Sequence, residues 1–221
     1  MKRLFTLLMV AFILSSCGYI EHSGKHVSGS GGKQTETRDL GNFDAVEISG
    51  AYTVTIASGG KNSLQIEADD NLLPLIKTEV RDGRLVISSK EGFNTQKSPV
   101  ITISMPDVKR VDASGATNFE ISGVKNDSLE LKLNGASSMD LAGETGKLKV
   151  DMAGAGSMDA KNLHAKTVDL NTSGAGSASV YATDALNVAI SGVGSVDYYG
   201  QPKLIRKNIS GFGSLNEKKS L

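Results

Sequence analysis

SGATNFE (114–120), NGASSMD (134–140), AGAGSMD (153–159), SGAGSAS (173–179), SGVGSVD (191–197) and SGFGSLN (210–216) are copies of one unit. Their aligned glycines are Gly115, Gly135, Gly154, Gly174, Gly192 and Gly211, spaced by 20, 19, 20, 18 and 19 residues. An earlier copy, SGAYTVT, stands at 49–55. A period this regular is the signature of a stacked repeat, in which no unit can bury its apolar face alone.

The residues flanking each glycine alternate. Before it come Leu129, Leu131, Leu133; then Leu148, Val150, Met152; then Val168, Leu170, Thr172; then Leu186, Val188, Ile190. After it comes one apolar residue per copy: Met139, Met158, Ala178, Val196, Leu215. Alternation with period 2 gives a strand with one face inward and one outward. Two helices and a turn do not fit so short a unit with Gly at its centre. The expectation is an all-β, right-handed parallel β-helix with coils of about 19–20 residues. The aligned glycines are read as structural corners, where a Cβ would be strained if φ is positive. Ser157, Ser177, Ser195 and Ser214 are expected to stack as hydroxyl ladders. Asn134-Gly135-Ala136-Ser137 lacks the second Gly of the pattern, which marks one altered corner.

Composition agrees with short strands and tight corners: 25 Gly, 4 Pro, no Trp and only 5% aromatic residues. Upstream of the regular repeats, residues 39–110 read as less regular β-helix coils. Strands are expected at 45–57, 63–68, 84–89 and 99–105, with a turn at Asp82-Gly83. Asn71 to Thr78, carrying Pro74, reads as a helical turn or irregular coil. Residues 111–221 hold the regular repeats, and the charged residues 216–221 are expected to blunt the last open edge.

The N-terminus is organised differently. Lys2 and Arg3 precede an apolar run, Leu4 to Leu14, that is too short to span a bilayer. It ends in Leu14-Ser15-Ser16-Cys17, which resembles the lipobox of bacterial lipoproteins. That resemblance implies a signal peptide over residues 1–16 and lipidation of Cys17, the single cysteine. Acyl chains such as palmitate would hold the protein on a membrane. Residues 17–38 then read as a flexible Gly/Ser-rich tether. Gly18 after the lipidated Cys favours an outer-membrane lipoprotein, periplasmic or surface-facing.

Few residues speak for chemistry. Charge is balanced, 24 basic against 24 acidic, which gives no footprint for nucleic acid. His22 and His26 lie in tether-like sequence, and His164 is isolated at a corner. Neither reads as a metal site, and no cofactor motif is present. Asp140, Asp159 and Asp197 form an outward acidic column, interrupted by Ser179, and are the one low-weight candidate site. Other outward columns alternate in charge, with Glu130, Lys149, Asp169 in one and Lys132 beside Asp151 in another. This reads as register chemistry. No catalytic residue is assigned: there is no nucleophile elbow, and the coils lack the long loops that house paired carboxylates in polysaccharide-cleaving β-helices.

Three further stretches complete a resemblance. Phe43-Asp44-Ala45-Val46-Glu47-Ile48-Ser49-Gly50, Leu72-Leu73-Pro74 and Asp82-Gly83-Arg84-Leu85-Val86-Ile87, followed by the G-x-G-S units, are similar to the auto-transporter adhesin, head GIN-domain family. The resemblance spans roughly residues 40–215. It implies a right-handed β-helix in a cell-envelope protein and supplies no catalytic residues. The expected role is a lipid-anchored, non-enzymatic binding module for a glycan or protein at the cell surface. A structural or self-assembling envelope protein is the alternative, and a polysaccharide-active enzyme the third. Oligomeric state stays open.

Overall fold

The computed structural model describes residues 26–219. Cys17, His22 and the signal-like segment lie outside the described residues. The strands are β1 (His26–Ser28), β2 (Lys33–Arg38), β3 (Ala45–Ser58), β4 (Ser63–Asp69), β5 (Ile76–Arg81), β6 (Arg84–Ser89), β7 (Gly92–Asn94), β8 (Val100–Met105), β9 (Arg110–Gly135), β10 (Ser138–Tyr199) and β11 (Leu204–Glu217). One 3-10 turn, Leu73–Leu75, interrupts them, with Pro74 in its first positions.

The repeat period reappears as pairing register. β3 pairs in parallel with the start of β9, Gly50 opposite Gly115. β9 pairs in parallel with β10, placing Gly154 on Gly135, and β10 pairs with β11, placing Gly211 on Gly192. The glycine corners stack throughout. An ideal Cβ on Gly135, Gly154, Gly174, Gly192 or Gly211 would lie 2.3–2.5 Å from the carbonyl oxygen of the glycine one rung earlier. All six aligned glycines have positive φ, from 107° to 137°. Backbone close approach therefore adds to the conformational reason for glycine.

The second glycine has a different cause. Gly156, Gly176 and Gly194 do not have positive φ, yet a Cβ on each would meet a carbonyl oxygen of the previous rung at 2.4–2.8 Å. In the same inward column the earlier rungs carry Tyr52, Thr117 and Ser137. Side-chain size in this column thus falls along the stack. Thr117 donates its hydroxyl to the Gly50 carbonyl (3.2 Å). The Tyr52 and Ser137 hydroxyls are buried without a partner. Ser137 is the altered corner visible in the sequence.

The core is one continuous cluster running from Phe43 to Tyr198. Leu129, Leu131, Leu148, Val150, Val168, Leu170 and Leu186 are wholly buried. Burying each such side chain is worth about 1.5–3 kcal/mol, which is what holds neighbouring rungs together.

The N-terminal part departs from the sequence expectation in two ways. Residues 39–110 are not a series of parallel coils. β6 and β8 do lie parallel to β3, but β4 runs antiparallel to β8, β2 antiparallel to β4, and β5 antiparallel to β6. The β5–β6 hairpin turns on Asp82 (φ 50°) and Gly83 (φ 74°), the dipeptide expected to turn. Strand β5 replaces the expected irregular coil after Leu75. The second departure is the tether. Within residues 17–38, β1 pairs with β7 and β2 with β4, so the part from His26 onward is not a flexible linker. β2 (Lys33-Gln34-Thr35-Glu36-Thr37-Arg38) is an edge strand held by backbone pairing rather than by burial. Arg38 fixes its end, donating to the carbonyls of Ile76 (2.6 Å) and Leu73 (3.0 Å). Short polar edge strands thus close one end of the stack. β11 lies at the other end and pairs on one side only among the described residues.

Candidate functional site

The outward columns are where side chains become available. One runs Arg110, Glu130, Lys149, Asp169, Asn187, Arg206 across successive rungs. Arg110 donates to Glu130 (2.8 Å), and Lys149 donates to the other Glu130 oxygen (2.9 Å). The Lys149 hydrogen bond comes first in holding the Glu130 carboxyl below its usual range, against partial burial and with help from the Arg110 charge. Asp169 is also held low. Burial opposes its ionisation, but hydrogen bonds from Lys147 and Asn187 outweigh it. Its ion pair is with Lys147 (2.7 Å), which comes from the corner before the strand. The parallel column pairs Arg84 with both Glu47 and Asp112 at 2.9 Å. Further along, Asn171 donates to Asp151 (2.8 Å). Lys132 is the register partner of Asp151 without forming an ion pair with it. Alternating charges at rung spacing lock register and reject slips.

The acidic column is more neutralised than the sequence suggests. Glu120 also belongs to it, as the register partner of Asp140. Asp159 binds Lys161 (2.6 Å), and Asp197 accepts from Asn216 (3.0 Å) and lies 3.5 Å from Lys218. No cluster of three or more His, Cys, Asp or Glu side chains suited to a metal occurs among the described residues. His26 lies against Gly92, where a Cβ would meet its ring at 2.6 Å. His164 is exposed and stacks on Tyr181 one rung on, ring centres 4.3 Å apart. Ser157, Ser177, Ser195 and Ser214 form no hydroxyl ladder. The contact between Ser157 and the previous rung is a backbone bond to the Ser137 carbonyl (3.0 Å).

Concavities lie between the outward columns and at the corners, one of about 500 Å³ beside Lys149, Asp169, Arg206 and Lys207, and two assembled from corners. A cavity of about 650 Å³ at the capped end is lined by Ser30, Lys33, Asp69, Thr95, Gln96 and Lys97. Asp69 is largely buried there, with one carboxylate oxygen accepting from the Thr95 hydroxyl (3.2 Å). A groove of about 490 Å³ runs past Lys125, Asp127, Glu144, His164 and Lys166. Sequence reasoning missed these last two, because each is assembled from corners distant in sequence. It also missed the apolar residues at the β11 end, where Val193, Leu204, Ile205 and Phe212 are exposed.

This arrangement defines an all-β protein of parallel, in-register strands whose outward columns carry ion pairs between neighbouring strands. Residues 42–202 match the model of the family described as "Putative auto-transporter adhesin, head GIN domain", and the chain belongs to that family. No curated protein matches it. Among solved structures, it is similar to a "putative adhesin" from Bacteroides fragilis NCTC 9343, with 21% identity, a TM-score of 0.63, and 87% of this chain and 100% of that chain covered. A "putative adhesin" from Parabacteroides distasonis ATCC 8503 gives 19% identity, a TM-score of 0.65, and 88% and 100% coverage. Another from Parabacteroides merdae ATCC 43184 gives 22%, 0.58, and 87% and 99%. At these identities the likeness speaks for the fold. Among the described residues no helix is long and apolar enough to cross a membrane.

Proposed function

We propose that the rungs close into a right-handed parallel β-helix and that the protein is a non-catalytic binding module of the cell envelope. In this reading Cys17 carries the lipid that anchors it to the outer membrane, and its ligand is a glycan or protein at the cell surface. Membership of a family named for adhesins carries this reading. Geometry supports it: β1 enters at the capped end, beside β7 and the first rung, and β11 lies at the opposite end. A lipid on Cys17 would thus attach the protein through the chain that leads into β1 rather than through β11.

Two experiments separate the parts of this reading. Cells fed labelled palmitate should label the protein, and Cys17→Ser should abolish the label; a labelled Ser variant contradicts the anchor. A glycan array and a pull-down from envelope extracts should give a saturable ligand. No ligand in either, with normal adhesion of cells lacking the protein, contradicts the binding role.

A further inference from the structure

The β11 end differs from the rest of the molecule. All four exposed large hydrophobic residues among the described residues lie in the last two rungs: Val193 (59%), Leu204 (42%), Ile205 (42%) and Phe212 (88%). Val193 and Phe212 are register partners at the glycine corner. In earlier rungs that corner position is Ala51, Ala116, Ala136, Ala155 or Ala175, so the bulk appears only at the tip. Charge is concentrated there too. Between residues 203 and 219, Lys203, Arg206, Lys207, Lys218 and Lys219 stand against one acid, Glu217; of the bases, Lys203 pairs with Asp184 (3.4 Å) and Lys218 with Asp197 (3.5 Å) in the preceding rung. The segment carries a net +4 in a chain whose formal net charge is zero. Arg206, Lys207 and Lys219 make no ion pair among the described residues.

Lys207 decides what can sit on this end. It pairs in register with Val188, which is buried at 3% exposure, and so occupies a core column. A further strand laid on β11 would enclose that ammonium in the core, the device by which natural sheets refuse edge pairing. A second copy would also bring like charge against like. The tip therefore suits a partner that contacts it without continuing the stack. Such a partner must take exposed apolar side chains and be anionic around them.

We infer that the β11 tip is a contact surface for an anionic phospholipid bilayer. Phe212 and Val193 at one corner and Leu204 and Ile205 at the start of the strand reach the acyl boundary. The unpaired Arg206, Lys207 and Lys219 lie among the headgroup phosphates. This surface is at the end opposite β1, so it extends the proposed binding role beyond the end through which a lipid on Cys17 would attach. It does not depend on lipidation of Cys17.

The test uses the chain from Gly18 onward, which keeps every described residue and carries no lipid. Cosedimentation with phosphatidylcholine vesicles is compared with vesicles containing one third phosphatidylglycerol, at low and high salt. Binding is expected to the anionic vesicles and to fall sharply at high salt. Phe212→Ser should lower partitioning about tenfold, from the apolar burial lost. Each of Arg206→Gln and Lys207→Gln should lower it about fivefold. These side chains are exposed, so unchanged thermal melting confirms that the variants fold. Lys132→Gln, far from the tip, should bind as the parent does. Equal binding to both vesicle types, or Phe212→Ser and the charge variants binding as the parent does, overturns the proposal. So does a dimer that Phe212→Ser dissolves, or capture of an acidic peptide in place of vesicles, since these give the tip to a protein. Loss of Cys17 palmitate labelling alone would remove the anchor and leave this result standing.

Discussion

Gly174→Ala probes the contact on which the stack rests. Gly174 has φ +117°, and a Cβ there would lie 2.4 Å from the Gly154 carbonyl oxygen and 3.0 Å from its nitrogen. Two costs follow. Holding alanine at such a φ costs about 1–3 kcal/mol. The close contact is with backbone on both sides, so neither rung can yield by turning a side chain, and the ladder must open locally. Loss of one interrung hydrogen bond in that opening adds about 1 kcal/mol. Reduced freedom of the unfolded alanine chain returns about 0.4–1 kcal/mol. The expected net loss is about 1–3.5 kcal/mol, or roughly 2–14 °C in melting temperature for a chain of this size. Gly31→Ala is the control. Gly31 also has positive φ (+83°), but nothing lies within 4 Å of its Cβ position. It carries only the backbone cost. Urea unfolding of both variants, with thermal melting alongside, measures the difference. If Gly174→Ala loses no more than Gly31→Ala, interrung close approach is not what demands glycine, and the argument fails.

Glu130→Gln should lower stability by about 1 kcal/mol at neutral pH, since the Arg110–Glu130–Lys149 group is only partly buried. The folded Glu130 pKa is depressed, so its contribution is present above the unfolded value of about 4.3 and is lost as pH falls through the folded value. Urea midpoints across the acid range should show a shallower acid decline for the variant; an unchanged slope refutes the ladder's role. Tyr52→Phe removes a buried hydroxyl with no partner, whose pKa burial pushes up to about 12. It should stabilise by about 1 kcal/mol, and calorimetry showing a loss instead would mean that the hydroxyl has a partner after all. Lys207→Leu extends a core column to an open edge and should produce concentration-dependent association in sedimentation, where the parent stays smaller. A variant as monodisperse as the parent would remove Lys207 as the guard of that edge.

Much of the fold is legible because its cause is periodic. The Gly115-to-Gly211 spacing gave the register directly, and Leu129, Leu131 and Leu133 gave the inward face. The strands expected at 45–57, 63–68, 84–89 and 99–105 fall within a residue of those observed. Direction is what periodicity does not carry: alternation in Ser63–Asp69 reads the same whether β4 runs parallel or antiparallel to β8. Lys33–Arg38 looked like linker because an edge strand needs backbone partners more than apolar side chains. The second glycine was visible only as part of the pattern. Its cause, a carbonyl 2.4–2.8 Å from the Cβ position, exists only once rungs stack. The acidic column was visible as Asp140, Asp159 and Asp197, but its neutralisation by Lys161 and Lys218 was not. Those lysines sit two residues and one rung away, respectively. The tip was hidden because Phe212 fills the same place in the pattern as an alanine.

The stacked register itself is open to one direct measurement. With Cys17 replaced by Ser, cysteines at Asn118 and Ser138 would occupy partners in adjacent parallel rungs, where the Ser138 hydroxyl is 2.8 Å from Asn118 Oδ1. Rungs about 4.8 Å apart are within disulfide reach. Cysteines at Asn118 and Asp140, displaced by two residues, would be about 8 Å apart and beyond it. Mild oxidation followed by mass spectrometry should find the 118–138 bond formed readily and the 118–140 bond scarcely at all. Equal formation of both, or preference for 118–140, would contradict the 20-residue parallel register on which the account stands.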